Sequence, residues 1–166
     1  TEWRLSMSDL SLAEKKPAEA ASLFNDVLTD PALRAAPYRK GDALAHGGVV
    51  AEIRFRNLVE KNGPALYQPY ERQAAAQLAA AGSNAAALAQ VVDTFPNSAA
   101  AITAASRTAA ASLAKGDFEA QRKALSWLYP RVTGDGKAKI TGELAMANLA
   151  LKKYAAASGW TQRGLR

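Results

Sequence analysis

Apolar residues recur at three- and four-residue spacing along most of this chain, which is the period of an amphipathic α-helix. Near the start, Ala20, Leu23, Phe24, Val27 and Leu28 mark one such face. Alternation of apolar and polar residues, the pattern of a half-buried β-strand, is sustained nowhere in the sequence. The pattern therefore predicts an all-α fold.

Glycine, proline and capping residues divide the pattern into short helices. The predicted helices cover residues 2–15, 17–29, 49–61, 65–81, 84–94, 98–115, 117–128 and 137–154, and a last helix starts at about residue 155. The stops and caps that separate them are Gly82 and Gly116 as left-handed C-terminal caps, Ser83, Ser98 and Asp117 as N-caps, and Pro96 and Pro130 as helix breakers.

Three places interrupt this regularity. Residues 31–48 are predicted to be an irregular connector with room for only short helical pieces, because proline and glycine punctuate them. Pro69 is expected to kink the helix over 65–81 or to delay its start. Residues 133–136, which read Thr-Gly-Asp-Gly, are predicted to be a loop.

One sequence segment within the helical pattern occurs twice. Residues 82–96 (GSNAAALAQVVDTFP) align with residues 116–130 (GDFEAQRKALSWLYP), and their glycines, aromatics and prolines each lie 34 residues apart. This is the period of a helical-hairpin repeat. We therefore expect one domain over residues 1–166, built as an α-solenoid of stacked antiparallel helix hairpins.

The first hairpin resembles the tetratricopeptide-like superfamily. The small residues Ser8 and Ala20 face each other, and Phe24, Val27 and Pro31 lie at or within one residue of that repeat's positions. Small residues let two helices approach, and the aromatic residue fills the gap to the next hairpin. The turns at 113–120 and 149–156 also resemble the repeat, although Gln121 and Thr161 fall where an alanine and a large aromatic are expected.

A second resemblance covers residues 62–128. The segments Gly-Pro-Ala-Leu-Tyr (63–67), Leu-Ala-Gln-Val-Val (88–92) and Phe-Pro-Asn-Ser (95–98) are similar to the helical region ahead of quinoprotein-like β-propellers in bacterial envelope proteins. This resemblance implies a periplasmic or envelope scaffold attached to another domain, with no quinone cofactor in this region. Because the chain begins at Thr1 without methionine, we expect it to be a processed product or a segment of a larger protein.

Composition narrows the classes of function. The net charge is +6 and the isoelectric point about 9.7, but acidic residues interrupt the basic stretches and no basic run interleaves with aromatics. We therefore expect no nucleic-acid partner. No apolar run reaches the length of a membrane-spanning helix, and the absence of cysteine excludes disulfides and thiolate chemistry.

Candidate chemistry is sparse. His46 is the sole histidine, and Asp42 is the only acid close to it in sequence, so we interpret His46 as a loop residue rather than a base or metal ligand. The segment Gly134–Lys137 lacks the further glycines and oxygen ligands of a phosphate or calcium loop. We predict no catalytic residue, metal site or cofactor.

The candidate site residues are for partner binding. The superfamily resemblance implies that the first helix of each hairpin lines a groove, with alanine at 76 and 110 where carboxylate-binding members carry asparagine. It assigns to this groove Arg72, Gln73, Thr103, Ser106, Arg107 and Lys139. Trp127 is predicted to be core, whereas Trp3 and Trp160, near the chain ends, either pack within the chain or dock against a neighbouring domain.

These observations favour a non-catalytic helical-repeat scaffold that mediates protein–protein interaction within a larger bacterial envelope protein. Two alternatives stay open. One is an accessory or regulatory helical domain of a multidomain enzyme, and the other is a binder of nucleic acid or anionic surfaces that depends on net charge alone.

Overall fold

The computed structural model describes residues 1–40 and 43–164, so Gly41 and Asp42 lie outside the described residues. They form two compact units: Thr1–Ala80 with Asp93–Ala101, and Ala81–Val92 with the residues from Ile102 onward. The all-α prediction is confirmed, because helices dominate both units and strands are confined to one short hairpin in the part of the chain described.

The elements follow one another in simple order. The α-helices are α1 Glu2–Ala13, α2 Pro17–Thr29, α3 Pro31–Ala35, α4 Gly47–Asn62, α5 Gln68–Ala81, α6 Ala85–Thr94, α7 Ala99–Ala114, α8 Phe118–Leu128, α9 Gly134–Ala150 and α10 Tyr154–Gly164. The strands are β1 Pro37–Lys40 and β2 Ala43–His46, and 3-10 turns cover Pro64–Tyr67 and Tyr129–Arg131.

The first unit is built on an aromatic cluster. Helices α1 and α2 form a hairpin, and α2 packs on α4. Phe55 of α4 is fully buried, and its ring centre lies 4.9 Å from that of Tyr67, 5.1 Å from that of Tyr70 and 6.0 Å from that of Phe24. Edge-on aromatic contacts of this kind add to the stabilisation from area burial, so Phe55 is the centre of this core.

The predicted connector contains a β-hairpin. Strands β1 and β2 pair antiparallel, with Tyr38 opposite Ala45, so the prediction of only short helical pieces is wrong over residues 37–40 and 43–46. The guanidinium of Arg54 in α4 donates to Tyr38 Oη at 3.0 Å and lies 5.4 Å from the centre of the Tyr38 ring. The hairpin thus contacts α4 through a residue 16 positions away in sequence.

Two glycines begin α4 because the backbone is crowded there. Gly47 and Gly48 are buried. A Cβ at Gly47 would overlap the Thr1 side chain and the Leu33 carbonyl oxygen, and a Cβ at Gly48 would overlap the Arg34 side chain. The sequence analysis assigned both to the connector, and their role in close packing became visible only in the structure.

The second unit packs its helices around small and aliphatic side chains. Helix α8 packs on α9, and α9 on α10. The buried cluster consists of Ala105, Ala109, Leu125, Leu128, Ile140 and Leu144. Ala105 and Ala109 of α7 add little volume to this cluster, and Ala109 and Ala110 line a cavity beside α8 and α9.

Three helix ends share one turn geometry. At each end one residue lies in the left-handed region. These residues are Lys15 after α1 (φ 59°), Gly116 after α7 (φ 70°) and Lys152 after α9 (φ 58°). In each case the next amide N–H donates to the carbonyl five residues earlier, as Lys153 N does to Asn148 O at 2.8 Å. This is the bond of a Schellman C-cap. The predicted left-handed glycines at 82 (φ 54°) and 116 are confirmed.

Helix boundaries test the remaining local predictions. Asp117 caps α8 through Ala120 N, and Ser98 Oγ accepts from Ala101 N, both as predicted. Ser83 is not the cap of α6, because Asn84 Oδ1 accepts from Ala87 N instead. Helix α5 begins at Gln68, after a 3-10 turn, so Pro69 delays its start as expected.

The predicted helix over 137–154 is wrong at both ends. Helix α9 already begins at Gly134, within the predicted loop, and stops at Ala150. The left-handed Lys152 then turns the chain into α10. The resemblance of residues 149–156 to a repeat turn predicts a turn here, but lysine seldom adopts this conformation, so the residue type does not indicate the left-handed position.

Candidate partner-binding site

An open cavity of about 280 Å³ lies between α7, α8 and α9 of the second unit, and we call it the second-unit cavity. Its walls are largely apolar. It is lined by Ser106, Ala109, Ala110, Leu113, Gln121, Leu125, Leu128, Val132, Gly136, Lys139, Ile140 and Glu143. Two predicted groove residues, Ser106 on α7 and Lys139 on α9, therefore line the same cavity.

The rim of this cavity carries balanced charge. Lys139 is 77% exposed, and its Nζ lies 3.9 Å from Glu143 Oε1, one helical turn further along α9. Ser106 Oγ donates to the Ile102 carbonyl at 2.9 Å. The opposite charges of Lys139 and Glu143 leave the rim without a net charge that would select an ionic ligand.

The cavity contains one buried polar side chain that is not paired. Gln121 of α8 is only 4% exposed, and its Oε1 is shielded from solvent and accepts no hydrogen bond. A buried amide oxygen without a donor costs about 1–3 kcal/mol and is uncommon in folded proteins.

In the sequence, Gln121 stands out only because it lies where the repeat pattern predicts an alanine. The signal that could have found it is its position on the buried stripe of α8, four and seven residues before Leu125 and Leu128, which are both buried. A glutamine on such a stripe must either find a polar partner or face a space that a ligand can enter.

An ion-pair network supports α8 and the α9–α10 turn. Glu119 accepts hydrogen bonds from the Arg122 guanidinium and from Lys153 Nζ, the latter at 3.0 Å. These two bonds, Arg122 first, lower the pKa of Glu119 to about 2. The network joins α8 to the chain entering α10, beside the helices that form the cavity.

The first unit has a cavity of its own, of about 520 Å³, which we call the first-unit cavity. Arg54 lies in its wall and donates to Asp9 Oδ1 at 3.0 Å and to the Leu5 carbonyl at 3.3 Å. The other lining residues are Leu12, Lys15, Pro17, Phe24, Asn57, Leu58, Lys61 and Asn62. Among the described residues, no buried polar side-chain atom that lacks a hydrogen bond belongs to this wall.

The other predicted groove residues lie elsewhere. Arg72 and Gln73 are exposed on α5 in the first unit, and Thr103 and Arg107 are exposed on α7 in the second unit. None of these four lines either of the two cavities. The structure thus brings together only Ser106 and Lys139 of the six predicted groove residues at the second-unit cavity.

The tryptophans differ in burial. Trp3 of α1 is 65% exposed. Trp160 is partly buried, with its ring centre 4.8 Å from that of Tyr129. Trp127 is also only partly buried, and the Arg131 guanidinium lies 3.8 Å from its ring centre, so it borders the core of the second unit. Trp160 thus packs within the chain, while Trp3 exposes most of its surface.

Residues with catalytic potential do not converge in the described structure. His46 Nδ1 lies 3.0 Å from the Ala35 carbonyl oxygen, at the end of β2, and its predicted neighbour Asp42 lies outside the described residues. Within residues 1–40 and 43–164, no three histidine or acidic side chains are grouped so that they could hold a metal ion. In the same ranges no helix is long and apolar enough to cross a membrane.

No protein family model matches the chain, and no characterised protein or solved structure does.

Proposed function

We propose that this chain is a non-catalytic helical scaffold that binds a protein partner, and that the second-unit cavity is the binding site. The observation that supports this most directly is the meeting of Ser106 of α7 and Lys139 of α9 at one open, largely apolar cavity. Helices α7 and α9 are the first helices of two successive pairs, α7 with α8 and α9 with α10. In a solenoid of stacked hairpins, the first helix of each pair lines the groove that binds a partner.

The composition of the cavity favours a polypeptide over a small metabolite. Its walls include Leu113, Leu125 and Ile140, while its charged rim is balanced. Protein interfaces combine an apolar centre with a polar rim in the same way. At about 280 Å³ the cavity is smaller than the usual range for drug-sized ligands, roughly 300–1,000 Å³, and is suited to one inserted side chain.

Charge pairing supports a protein partner over nucleic acid. Arginines in both units donate hydrogen bonds to carboxylates of the same unit: Arg34 to Asp93, Arg54 to Asp9 and Arg122 to Glu119. Phosphate binding would have to compete with these pairs. The resemblance of residues 62–128 to an envelope-protein region favours a bacterial envelope or periplasmic setting.

The experiment is a paired substitution on α7. Ala110 lines the cavity, and its neighbour Ala111 is equally exposed but does not line it. A photo-crosslinking residue at each position in turn, used in extracts of the source organism, identifies the partner through the crosslinked peptide. The affinity of the purified partner is then measured for Ala110→Trp, which fills the cavity, and for Ala111→Trp.

We expect Ala110→Trp to weaken binding by about tenfold or more, equivalent to about 1.4 kcal/mol, and Ala111→Trp to change it less than about twofold. Circular dichroism and thermal unfolding establish that both variants fold. A partner that crosslinks equally at both positions, or that binds both variants alike, would refute the assignment of the cavity.

A further inference from the structure

One feature of the second-unit cavity specifies its ligand more closely than its walls do. Gln121 is only 4% exposed at the cavity, and its carboxamide oxygen Oε1 is buried and accepts no hydrogen bond in the described structure. Folded proteins rarely leave such a group unsatisfied, because dehydrating it without a new hydrogen bond is unfavourable. A leucine of similar size would fill the same space with no polar atom, so the amide itself needs an explanation.

A carboxamide is complementary to another amide. It has an oxygen that accepts and an NH₂ group that donates, and rotation about the terminal torsion exchanges the two ends at little cost. Gln121 can therefore present either end to the cavity. In an extended segment the N–H and C=O of one residue point to the same side, so a partner backbone can pair with both ends of the carboxamide at once.

The rest of the cavity argues against ionic ligands and for an aliphatic one. Lys139 and Glu143 offset each other at the rim, so neither a carboxylate nor a phosphate is favoured. Beside Gln121 stand Leu113, Leu125 and Ile140. A volume of about 280 Å³ accommodates one aliphatic side chain and the peptide group next to it.

We infer that a partner polypeptide inserts one aliphatic side chain into the second-unit cavity and pairs the adjacent backbone amide with the Gln121 carboxamide. This inference depends on the proposed function, and it adds the chemical identity of the bound segment. Gln121 is thus a recognition residue for a peptide backbone, which differs from the binding of a terminal carboxylate by charged groups.

The test uses two small probes and the full chain. N-acetyl-leucine methylamide carries an aliphatic side chain and two amides, and its diester analogue replaces both N–H groups by oxygen. Binding is followed by ¹H–¹⁵N NMR, with the Gln121 side-chain NH₂ signal assigned by its loss in Gln121→Leu. Gln90→Leu, at an exposed glutamine on α6 that does not line the cavity, is the matched control.

We expect the methylamide to shift the Gln121 NH₂ signal and the amides of Ala109 and Ala110, and to bind about five- to tenfold more tightly than the diester. In Gln121→Leu this difference should vanish, while the melting temperature rises by about 2–4 °C because an unpaired buried amide has been removed. Gln90→Leu should keep the difference and leave the melting temperature nearly unchanged.

Three results would overturn the inference. The first is equal affinity for methylamide and diester in the unmodified chain, and the second is the absence of any shift at the cavity with either compound. The third is a lower melting temperature for Gln121→Leu with the preference intact, which would make Gln121 a packing residue. The proposed function would survive all three if Ala110→Trp still blocked the partner, so the two failures are distinguishable.

Discussion

The turns at Gly116 and Lys152 provide a direct test of how the second unit is built. Both residues lie in the left-handed region, at φ 70° and φ 58°, in equivalent Schellman caps. A Cβ at Gly116 would meet no atom within 4 Å, so a Gly116→Ala change adds backbone strain without a clash. Alanine, rather than a larger residue, is therefore the appropriate substitution.

The expected magnitude follows from two opposing terms. A left-handed L-residue costs about 1–2 kcal/mol. Replacing glycine by alanine also reduces the conformational entropy of the unfolded chain, which raises the free energy of unfolding by about 0.4–1 kcal/mol. We therefore expect Gly116→Ala to lower the free energy of unfolding by about 1 kcal/mol, and Lys152→Gly to be about 1 kcal/mol more stable than Lys152→Ala.

The comparison of the two Lys152 variants removes the effect of charge, because both lack the ammonium group. Urea unfolding followed by circular dichroism measures each free energy, and thermal unfolding should show shifts of about 2–4 °C in the same directions. If Lys152→Gly were no more stable than Lys152→Ala, or if Gly116→Ala were neutral, the Schellman geometry proposed for these turns would be refuted.

Two further predictions concern the cores and the ion pairs. Phe55→Ala should lower the free energy of unfolding of the first unit by about 3–5 kcal/mol, measured by urea unfolding, because it empties the aromatic core. Ile53→Ala, on the exposed side of α4, should lower it by less than about 1 kcal/mol. Equal losses for the two variants would contradict the aromatic core. The pKa of Glu119 is lowered from an ordinary 4.5 to about 2. The ionised carboxylate therefore stabilises the folded chain fully above about pH 4.5, and this stabilisation is lost as the pH falls toward 2. The urea midpoint of Glu119→Gln should therefore lie below that of the unmodified chain at pH 7 and converge with it between pH 4.5 and 2, and a gap independent of pH would contradict the ion pairs with Arg122 and Lys153.

The candidate site was only partly predictable. Ser106 and Lys139 were expected on a partner-binding groove, and both line the second-unit cavity. Gln121 was not expected there, because the absence of a hydrogen-bond partner depends on what α7 and α9 place around it. The solenoid arrangement and the tetratricopeptide-like resemblance stay predictions, as does the envelope setting.

What the sequence determined by itself is local. Local features depend only on residues within about one helical turn, so they can be predicted from neighbouring residues. They include the helical periodicity, the left-handed glycines at 82 and 116, the cap at Asp117 and the delayed helix start at Pro69. The same reasoning located most helices to within a few residues.

The tertiary structure decided the features that depend on distant partners. Strands β1 and β2 contact α4, where Arg54 donates to Tyr38, and the glycines that open α4 are required by Thr1, Leu33 and Arg34. Lys152 adopts the left-handed turn although lysine does not favour it, since the packing of α9 with α10 outweighs a local cost of about 1–2 kcal/mol. Contacts between residues far apart in sequence override local preference, which is why the pattern alone could not show them.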